Sequence, residues 1–186
     1  PISPYGLSKL SAHKYAQHLR NDYNVFVSCG ILFNHESPRR GSSFVTGKVA
    51  KAVARIKLDK QVNLVLGNLS SKRDWGHSKD YVKIMWKMLN EIDIADDFIC
   101  CTGITHSVED LVKFAFGYIN KDILENKFEW NKRVFTEIRH TRESELHYLR
   151  GCNNKLSQHI DLDFEYSFET MITEMIEHHL HRQTII

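Results

Sequence analysis

Residues 25–41 read Val-Phe-Val-Ser-Cys-Gly-Ile-Leu-Phe-Asn-His-Glu-Ser-Pro-Arg-Arg-Gly, and this stretch decides the fold. Residues 25–33 form a nearly continuous apolar run with β-branched and aromatic side chains, which is typical of a strand buried on both faces of a parallel sheet. The polar residues from Asn34 to Gly41 follow directly. Open α/β sheets bind ligands at the carboxyl ends of their strands. The stretch therefore predicts an α/β fold and the edge where its site lies.

Outward from this stretch, helical and strand-like patterns alternate with short connections, as in other α/β proteins. Apolar spacing predicts helices over about residues 6–21, 48–60 and 80–90, and strands over 62–66 and 98–101. The apolar stripe of the first helix is Leu7, Leu10, Ala12, Ala16 and Leu19, and that of the second is Val49, Val53 and Ile56. Ser107 and Ser167 are expected to cap two further helices. The expected inner face of the first is Val108, Leu111, Val112 and Ala115, and that of the second is Phe168, Met171, Ile172, Met175, Ile176 and Leu180. In the helix over 80–90, the face expected to point inward carries Val82, Met85, Trp86 and Leu89.

Composition narrows the choice of partners. A net charge of +2 is small for 186 residues, so neither nucleic acid nor an anionic membrane is expected as the main partner. No run approaches the ~18 apolar residues of a membrane span.

Cys29, Cys100 and Cys101 lie in apolar runs, so they are expected to be buried, reduced thiols. Reduced thiols favour a reducing compartment, and a cytoplasmic location is expected.

Tyr5 and Lys9 form a Y-x-x-x-K pair one helical turn apart. A neighbouring ammonium favours the phenolate and lowers a pKa that is ordinarily near ~10. The pair therefore predicts a proton-abstracting tyrosine, although an aromatic and a solvated lysine on an exposed helix also fit the spacing.

Three other polar segments are suited to a nucleotide. Arg39 and Arg40 follow a proline turn, and their planar guanidinium groups are suited to binding phosphate through paired hydrogen bonds. The segment over residues 72–77 places Arg73 beside an indole, and the one over 142–145 adds an arginine and carboxylates that suit a guanine base. Each segment, taken alone, also fits a solvated surface turn.

Two further kinds of site are not predicted. No G-x-G-x-x-G follows a strand, so these residues do not include the turn that binds the pyrophosphate of a dinucleotide. The histidines at 178, 179 and 181 have no partner at a recognisable ligand spacing, so no metal site is predicted.

Taken together, these segments resemble the GDP-mannose 4,6-dehydratases, a family of extended short-chain dehydrogenases/reductases. The matching stretches are SPYGLSK, GILFNHESPRRG, FVTGK, LGNLSSKRDWGHSKDYV, TGITHSVED and RESELHYLRG, in family order between Ser3 and Gly151. The resemblance implies the C-terminal part of a Rossmann-like, doubly wound parallel sheet plus a smaller α/β subdomain. Residues 1–66 would belong mainly to the NADP-binding domain, and residues 67–186 mainly to the nucleotide-sugar-binding subdomain.

The resemblance also implies roles for individual residues. Tyr5 is similar to the catalytic tyrosine, and Lys9 to its partner, which also binds the cofactor ribose. His35 and Arg40 fall at positions that contact NADP. The positions that hold the GDP-sugar are matched by Asn34, Lys48, Arg73, Arg142 and Glu145. In two places the sequence departs from the family pattern: Gly47 stands where FVTRK has arginine, and Glu143 where RPTE has proline.

In the family reaction the 4-hydroxyl of GDP-mannose is oxidised, water is eliminated across C5 and C6, and the hydride returns to C6. The product is GDP-4-keto-6-deoxymannose, the precursor of GDP-fucose. NADP is the expected cofactor, GDP-mannose the expected substrate, and a homo-oligomer, dimer or tetramer, the expected assembly. The loop with Arg39 and Arg40 also resembles the segment through which family members assemble as tetramers.

Because the family's glycine-rich turn and further catalytic residues are not among these 186 residues, the chain by itself is expected to be inactive and poorly soluble. Two alternatives stay open. One is a truncated, inactive paralogue that binds a full-length dehydratase, and the other is a different nucleotide-sugar enzyme such as an epimerase.

Overall fold

The computed structural model describes residues 1–121, 126–137 and 146–184. Its helices are α1 (Pro4–Tyr23), α2 (Val45–Lys57), α3 (Ser78–Asn90), α4 (Val108–Asn120), α5 (Trp130–Arg133), α6 (Asn154–Ser157) and α7 (Phe168–Thr184). Its strands are β1 (Cys29–Leu32), β2 (Asn34–Glu36), β3 (Leu64–Leu66), β4 (Lys72–His77), β5 (Asp97–Cys100), β6 (Thr105–Ser107), β7 (Val134–Thr136) and β8 (Tyr148–Leu149).

Parallel pairing dominates the sheets, and the α/β prediction is confirmed. β1 pairs with β5, β2 with β4, and β3 with β7, all in parallel. β4 also pairs with β6 in antiparallel fashion and with β8 in parallel. The segment that follows β1 therefore joins a second sheet immediately, as β2, and this places Asn34 opposite Trp75.

The larger apolar core is built by three helices, α2, α4 and α7, packed around β3. Its predicted members are buried as expected: Val49, Val53 and Ile56 of α2, Val108, Leu111, Val112 and Ala115 of α4, and Phe168, Met171, Ile172, Met175 and Ile176 of α7. The two predicted caps are also confirmed. The Asp110 N–H donates to Ser107 Oγ at 3.0 Å, and the Thr170 N–H donates to Ser167 Oγ at 3.2 Å. Since α2 packs on α4 and α7, segments from both sides of residue 66 share one core.

The smaller core lies between α3 and β5, and here the predicted helix face is wrong. α3 buries Asp80, Tyr81, Ile84 and Met88, whereas the expected inner residues Val82, Trp86 and Leu89 are about 60% exposed, and Met85 is 37% exposed. Two apolar stripes run along this helix, and spacing alone does not say which one meets the sheet. Asp80 belongs to the buried stripe because its carboxylate accepts the backbone N–H groups of Glu165 and Tyr166, at 3.1 and 3.2 Å.

The strand predicted over residues 25–33 is shorter and less buried than expected. β1 covers only Cys29–Leu32, and Val25, Phe26 and Ile31 are each more than 40% exposed. Within the part of the chain that the structure describes, β5 is its one neighbour. Because Ile31 stays exposed on one face of the strand, burial on both faces is not observed.

α1 is also less buried than its sequence predicts. Ser3 caps the helix, with its Oγ accepting the Gly6 N–H at 3.1 Å, but none of its residues is fully buried. Leu7 and Leu10, from the expected apolar stripe, are 57% and 39% exposed. The helix is instead fastened by polar contacts: His13, Gln17 and Arg20 all reach the carboxylate of Asp97 at the start of β5.

The thiols follow the sequence prediction in part. Cys100 and Cys101 are buried and free, whereas Cys29 is only partly buried. Burial raises the pKa of the Cys100 thiol to about 12 and that of the Cys101 thiol to about 11, so both stay protonated near neutral pH.

Among the described residues, no helix combines the length and the apolar character that a bilayer crossing requires.

Candidate functional site

The candidate site is built where β2 lies beside β4. His35 stands opposite Gly76, and the Tyr81 ring packs so closely on that glycine that a Cβ at residue 76 would lie 2.5 Å from the ring. The His35 ring lies 5.4 Å from that of Tyr81, and its Nδ1 is 2.9 Å from the carbonyl oxygen of Phe33. Because a carbonyl only accepts, Nδ1 carries the hydrogen, and Nε2 is left as an acceptor for a hydroxyl group.

Glu36 is the buried anchor of the arginine turn. Its carboxylate is 1% exposed, accepts the Thr46 hydroxyl at 2.6 Å and lies 3.0 Å from Arg40 Nε. Burial raises the pKa of Glu36, while the Thr46 hydrogen bond and the Arg40 charge act in the opposite direction. The Arg40 guanidinium also stacks 3.5 Å from the centre of the Phe44 ring. Arg40 is therefore held in one orientation before any ligand binds.

Gly47 brings the first turn of α2 against this arginine turn. A Cβ at residue 47 would lie 2.7 Å from the Arg40 carbonyl oxygen and 2.6 Å from that of Gly41. Any larger side chain would force the two segments apart. Lys48, the next residue, is half-buried, and its N–H donates to the Phe44 carbonyl at 2.8 Å. The departure from the FVTRK pattern is thus matched by a turn packed closely enough to require glycine.

Asp74 holds the neighbouring loops in place, a role that the sequence analysis missed. The residue is fully buried in β4, and its carboxylate accepts the Thr102 hydroxyl at 2.6 Å and the Gly103 N–H at 2.8 Å. It also accepts the Gly151 N–H at 3.3 Å. The one signal in the sequence is that Asp74 lies next to Trp75 inside a strand. The groups that bind its carboxylate are distant in the sequence, so the sequence does not show them. This carboxylate fixes the loop after β5 against β4.

His77 is a second positioning residue that the sequence analysis missed. Its side chain is completely buried and stacked 3.8 Å from the Tyr166 ring. Nδ1 accepts the Lys79 N–H at 3.1 Å and so caps α3, which assigns the ring hydrogen to Nε2, 2.7 Å from Glu174 Oε2. His77 thereby joins β4, α3 and α7 at the strand position opposite Glu36.

Arg73 lies one strand position from the buried Asp74, near the start of β4. It is half-exposed, stands opposite His106 and Leu149, and donates from Nη1 to the Lys72 carbonyl at 2.8 Å. A groove of about 440 Å³ opens just before β4, lined by Gly67, Asn68, Leu69, Ser70, Glu109, Thr136 and Glu137. Arg142 and Glu145, the other predicted contacts of the GDP-sugar, lie outside the described residues.

Tyr5 and Lys9 keep their predicted spacing on α1. Lys9 Nζ lies 5.5 Å from the centre of the Tyr5 ring. Tyr5 is 72% exposed, and Lys9 is exposed as well, so neither is enclosed in a pocket. Both precede the three residues that tie α1 to Asp97. The structure therefore brings together Asn34, His35, Arg40 and Lys48 around β2, with Arg73 on the adjacent strand, and leaves the Y-x-x-x-K pair on an open helix end.

Solved structures with the same fold define the class of protein. The chain superposes on RMD from Pseudomonas aeruginosa, solved with NADPH, with a TM-score of 0.83 at 21% identity, covering 98% of this chain and 57% of that one. For UDP-glucose 4-epimerase from Thermotoga maritima the TM-score is 0.77 at 21% identity, covering 100% and 55%. For dTDP-glucose 4,6-dehydratase from Bacillus anthracis it is 0.76 at 18% identity, covering 99% and 54%. The fold is the Rossmann-like fold of extended short-chain dehydrogenases/reductases.

Sequence comparison narrows the class to one family. The model of the family described as GDP-mannose 4,6 dehydratase matches residues 1–175. GDP-mannose 4,6 dehydratase from Homo sapiens is 40% identical over 186 residues, covering 95% of this chain and 50% of the relative. Dehydratase 2 from Arabidopsis thaliana is 39% identical over 180 residues, covering 97% and 46%. The chain belongs to the GDP-mannose 4,6-dehydratase family, and it spans about half the length of the curated relatives it matches.

Proposed function

We propose that this chain contributes to the dehydration of GDP-mannose to GDP-4-keto-6-deoxymannose with tightly bound NADP, the first step of GDP-fucose synthesis. The observation that carries the proposal is the family match over residues 1–175, within which Asn34, His35 and Arg73 lie on the paired strands β2 and β4. Since the chain spans about half the length of its relatives, the activity is proposed for a complete dehydratase, to which this chain supplies the residues below.

The turn after β2 fits the phosphate and ribose portions of NADP. The Glu36 carboxylate and the Phe44 ring hold the Arg40 guanidinium, which favours an anion at its remaining N–H groups. The acceptor Nε2 of His35 suits a ribose hydroxyl. When bound, NADP supplies the redox chemistry by taking a hydride from the sugar and returning it. Lys9 would bind the cofactor ribose from α1.

Tyr5 is proposed to accept the proton of the sugar 4-hydroxyl as a phenolate. Lys9, whose Nζ lies 5.5 Å from the centre of the Tyr5 ring, would be its partner. Asn34, Lys48 and Arg73 would hold the GDP-sugar, together with Arg142 and Glu145. Asn34 and Arg73 sit on paired strands, and Lys48 follows the closely packed turn at Gly47, so these contacts would be mounted on regular structure.

Turnover by the native protein tests this proposal. Purified from its source and given GDP-mannose, it is expected to release a sugar nucleotide that has lost one water, and to leave UDP-glucose unchanged. Tyr5→Phe should lower kcat by ~10²-fold or more, because the proton acceptor is lost. Tyr15→Phe, an equally exposed tyrosine of α1, is the matched control and should leave kcat unchanged. Turnover of UDP-glucose but not of GDP-mannose would favour an epimerase instead.

A second candidate is a non-enzymatic subunit that joins a longer dehydratase through the turn at Arg39 and Arg40. The exposed apolar residues on β1 and α3 favour it, because such surfaces are commonly covered by a partner. The native protein would then co-purify with a longer member of the family, and its own intact mass would be near 21.7 kDa. Turnover by the isolated 186-residue chain would contradict this candidate.

A further inference from the structure

A cluster of three potential metal ligands lies where α1 meets the β1–β5 sheet, away from the site described above. His13 of α1, Cys29 of β1 and Asp97 of β5 each offer one ligand atom, and these atoms lie within 4.8 Å of one another. Cys29 and Asp97 are register partners in the parallel pair, so their side chains leave the same face of the sheet. His13 covers that face from the helix, with Nε2 at 2.7 Å from Asp97 Oδ2.

The three groups are close enough for one cation to bind them together. Nε2 of His13 lies 2.7 Å from Asp97 Oδ2, and the Cys29 Sγ lies within 4.8 Å of a ligand atom of each. A Zn²⁺ ion bound at ~2.0–2.3 Å from N, O and S ligands separates neighbouring ligand atoms by ~3–4 Å. The observed cluster is therefore close to the required size, and small rotamer changes would open it. Imidazole, thiolate and carboxylate are all ligands that Zn²⁺ takes.

The surroundings orient the carboxylate and leave the ligand atoms accessible. Arg20 Nη2 donates to Asp97 Oδ1 at 2.9 Å, and Oδ2 faces both His13 Nε2, at 2.7 Å, and Gln17 Nε2, which donates to it at 3.1 Å. Asp97 is 20% exposed and His13 is 31% exposed, so an ion can enter and a water molecule can complete the coordination. The neighbouring carboxylate of Asp96 is paired with Lys155. Arg20 thus fixes the carboxylate of Asp97, as the residues around the ligands of a metal site commonly do.

We propose that His13, Cys29 and Asp97 form a binding site for a divalent cation of the zinc class, with three protein ligands and one open position. On binding, the Cys29 thiol releases its proton to solvent, and His13 coordinates through Nε2. Since the site clamps α1 onto the sheet, an occupied site stabilises the helix that carries Tyr5 and Lys9. The proposal uses residues outside the proposed dehydratase site and does not depend on that function.

Cobalt is the probe that tests it. Co²⁺ added to the reduced protein is expected to bind in a 1:1 ratio with a thiolate-to-cobalt charge-transfer band, to be displaced by Zn²⁺, and to release at least one proton per ion. Cys29→Ser, which keeps the side-chain size, should abolish the band and weaken Zn²⁺ binding at least tenfold. His13→Gln should also weaken binding at least tenfold while leaving the other two ligands in place.

The matched control is Cys152→Ser, which removes the exposed thiol outside the cluster and should leave the band unchanged. Circular dichroism establishes that each variant is folded. The proposal is overturned if the folded wild-type protein gives no charge-transfer band, if the band is lost in Cys152→Ser, or if it persists in Cys29→Ser. In those cases the cluster serves only to fasten α1 by hydrogen bonds.

Discussion

The arginine turn shows how single residues set the geometry of this protein. Arg40 is aimed by a buried carboxylate, Glu36, and by an aromatic face, and the whole turn is pressed against α2 at Gly47. Burying Glu36 is costly unless it is paired and hydrogen bonded, and Thr46 and Arg40 supply that compensation. The orientation of Arg40 therefore depends on contacts that no single motif contains.

Gly47→Ala tests this close packing. The added methyl group would lie 2.6 and 2.7 Å from two backbone oxygens, which cannot rotate away as side chains can. We expect the free energy of unfolding to fall by ~1–3 kcal/mol, as for other overpacked sites. Displacement of Arg40 should also weaken NADP binding. Urea denaturation and calorimetric titration with NADP measure the two effects.

Gly117→Ala is the matched control for that substitution. Gly117 also lies inside a helix, α4, but a Cβ there meets nothing within 4 Å. Alanine should therefore stabilise the protein by ~0.5–1 kcal/mol, since glycine is the poorer helix former. Equal effects at both positions would show that the close contact at residue 47 is not important.

At the scale of elements, α4 is the helix best specified by its own sequence. Ser107 and Asp110 form a reciprocal capping box: the Ser107 hydroxyl accepts the Asp110 N–H at 3.0 Å, and the Asp110 carboxylate accepts the Ser107 N–H at 2.9 Å. The Ser107 hydroxyl and then the Ser107 N–H, both donating to the carboxylate, lower the pKa of Asp110. The inner face and the cap of α4 were both predictable, because each depends on residues within one or two turns.

Ser107→Ala should lower the free energy of unfolding by ~1 kcal/mol, because the first turn of α4 loses its cap. The mutation also removes a hydroxyl that donates to Asp110 at 2.7 Å. Ser11→Ala is the control, since Ser11 is exposed within α1 and donates only to the Leu7 carbonyl of its own helix. The midpoints of thermal unfolding compare the two variants, and an unchanged midpoint in Ser107→Ala would contradict the capping role.

In α3, by contrast, the sequence did not determine the orientation of the helix. Its two apolar stripes have the same period, so the wrong one was predicted to be buried. Asp80 decides the orientation through backbone groups of Glu165 and Tyr166, more than eighty positions away. An interaction of that range leaves no local pattern.

At the scale of the whole molecule, apolar side chains remain on two open surfaces. One surface lies on β1 and includes Ile31, which is 46% exposed. The other is the outer stripe of α3, where Trp86 and Leu89 are each about 60% exposed. Together with Val25 and Phe26 these surfaces are expected to make the isolated chain self-associate.

Light scattering after size-exclusion chromatography measures this directly. The wild-type chain should form oligomers or aggregates that grow with concentration, and Trp86→Lys should shift the distribution toward the monomer. Ile104→Lys, which changes a similarly exposed side chain in a loop, is the control and should have little effect. A monodisperse wild-type monomer with a sharp cooperative melt would contradict the prediction.

The sequence by itself determined the alternation of helices and strands, the caps at Ser107 and Ser167, the inner faces of α2, α4 and α7, and the family. These features depend on local periodicity, on hydrogen bonds within one turn, or on motifs that can be compared directly. Only the tertiary structure decided which face of α3 is buried, what Asp74 and His77 hold, how Glu36 aims Arg40, and that His13, Cys29 and Asp97 meet. Each of these depends on strand register and on packing between segments far apart in the chain, so the physical cause is long-range contact that no local pattern encodes.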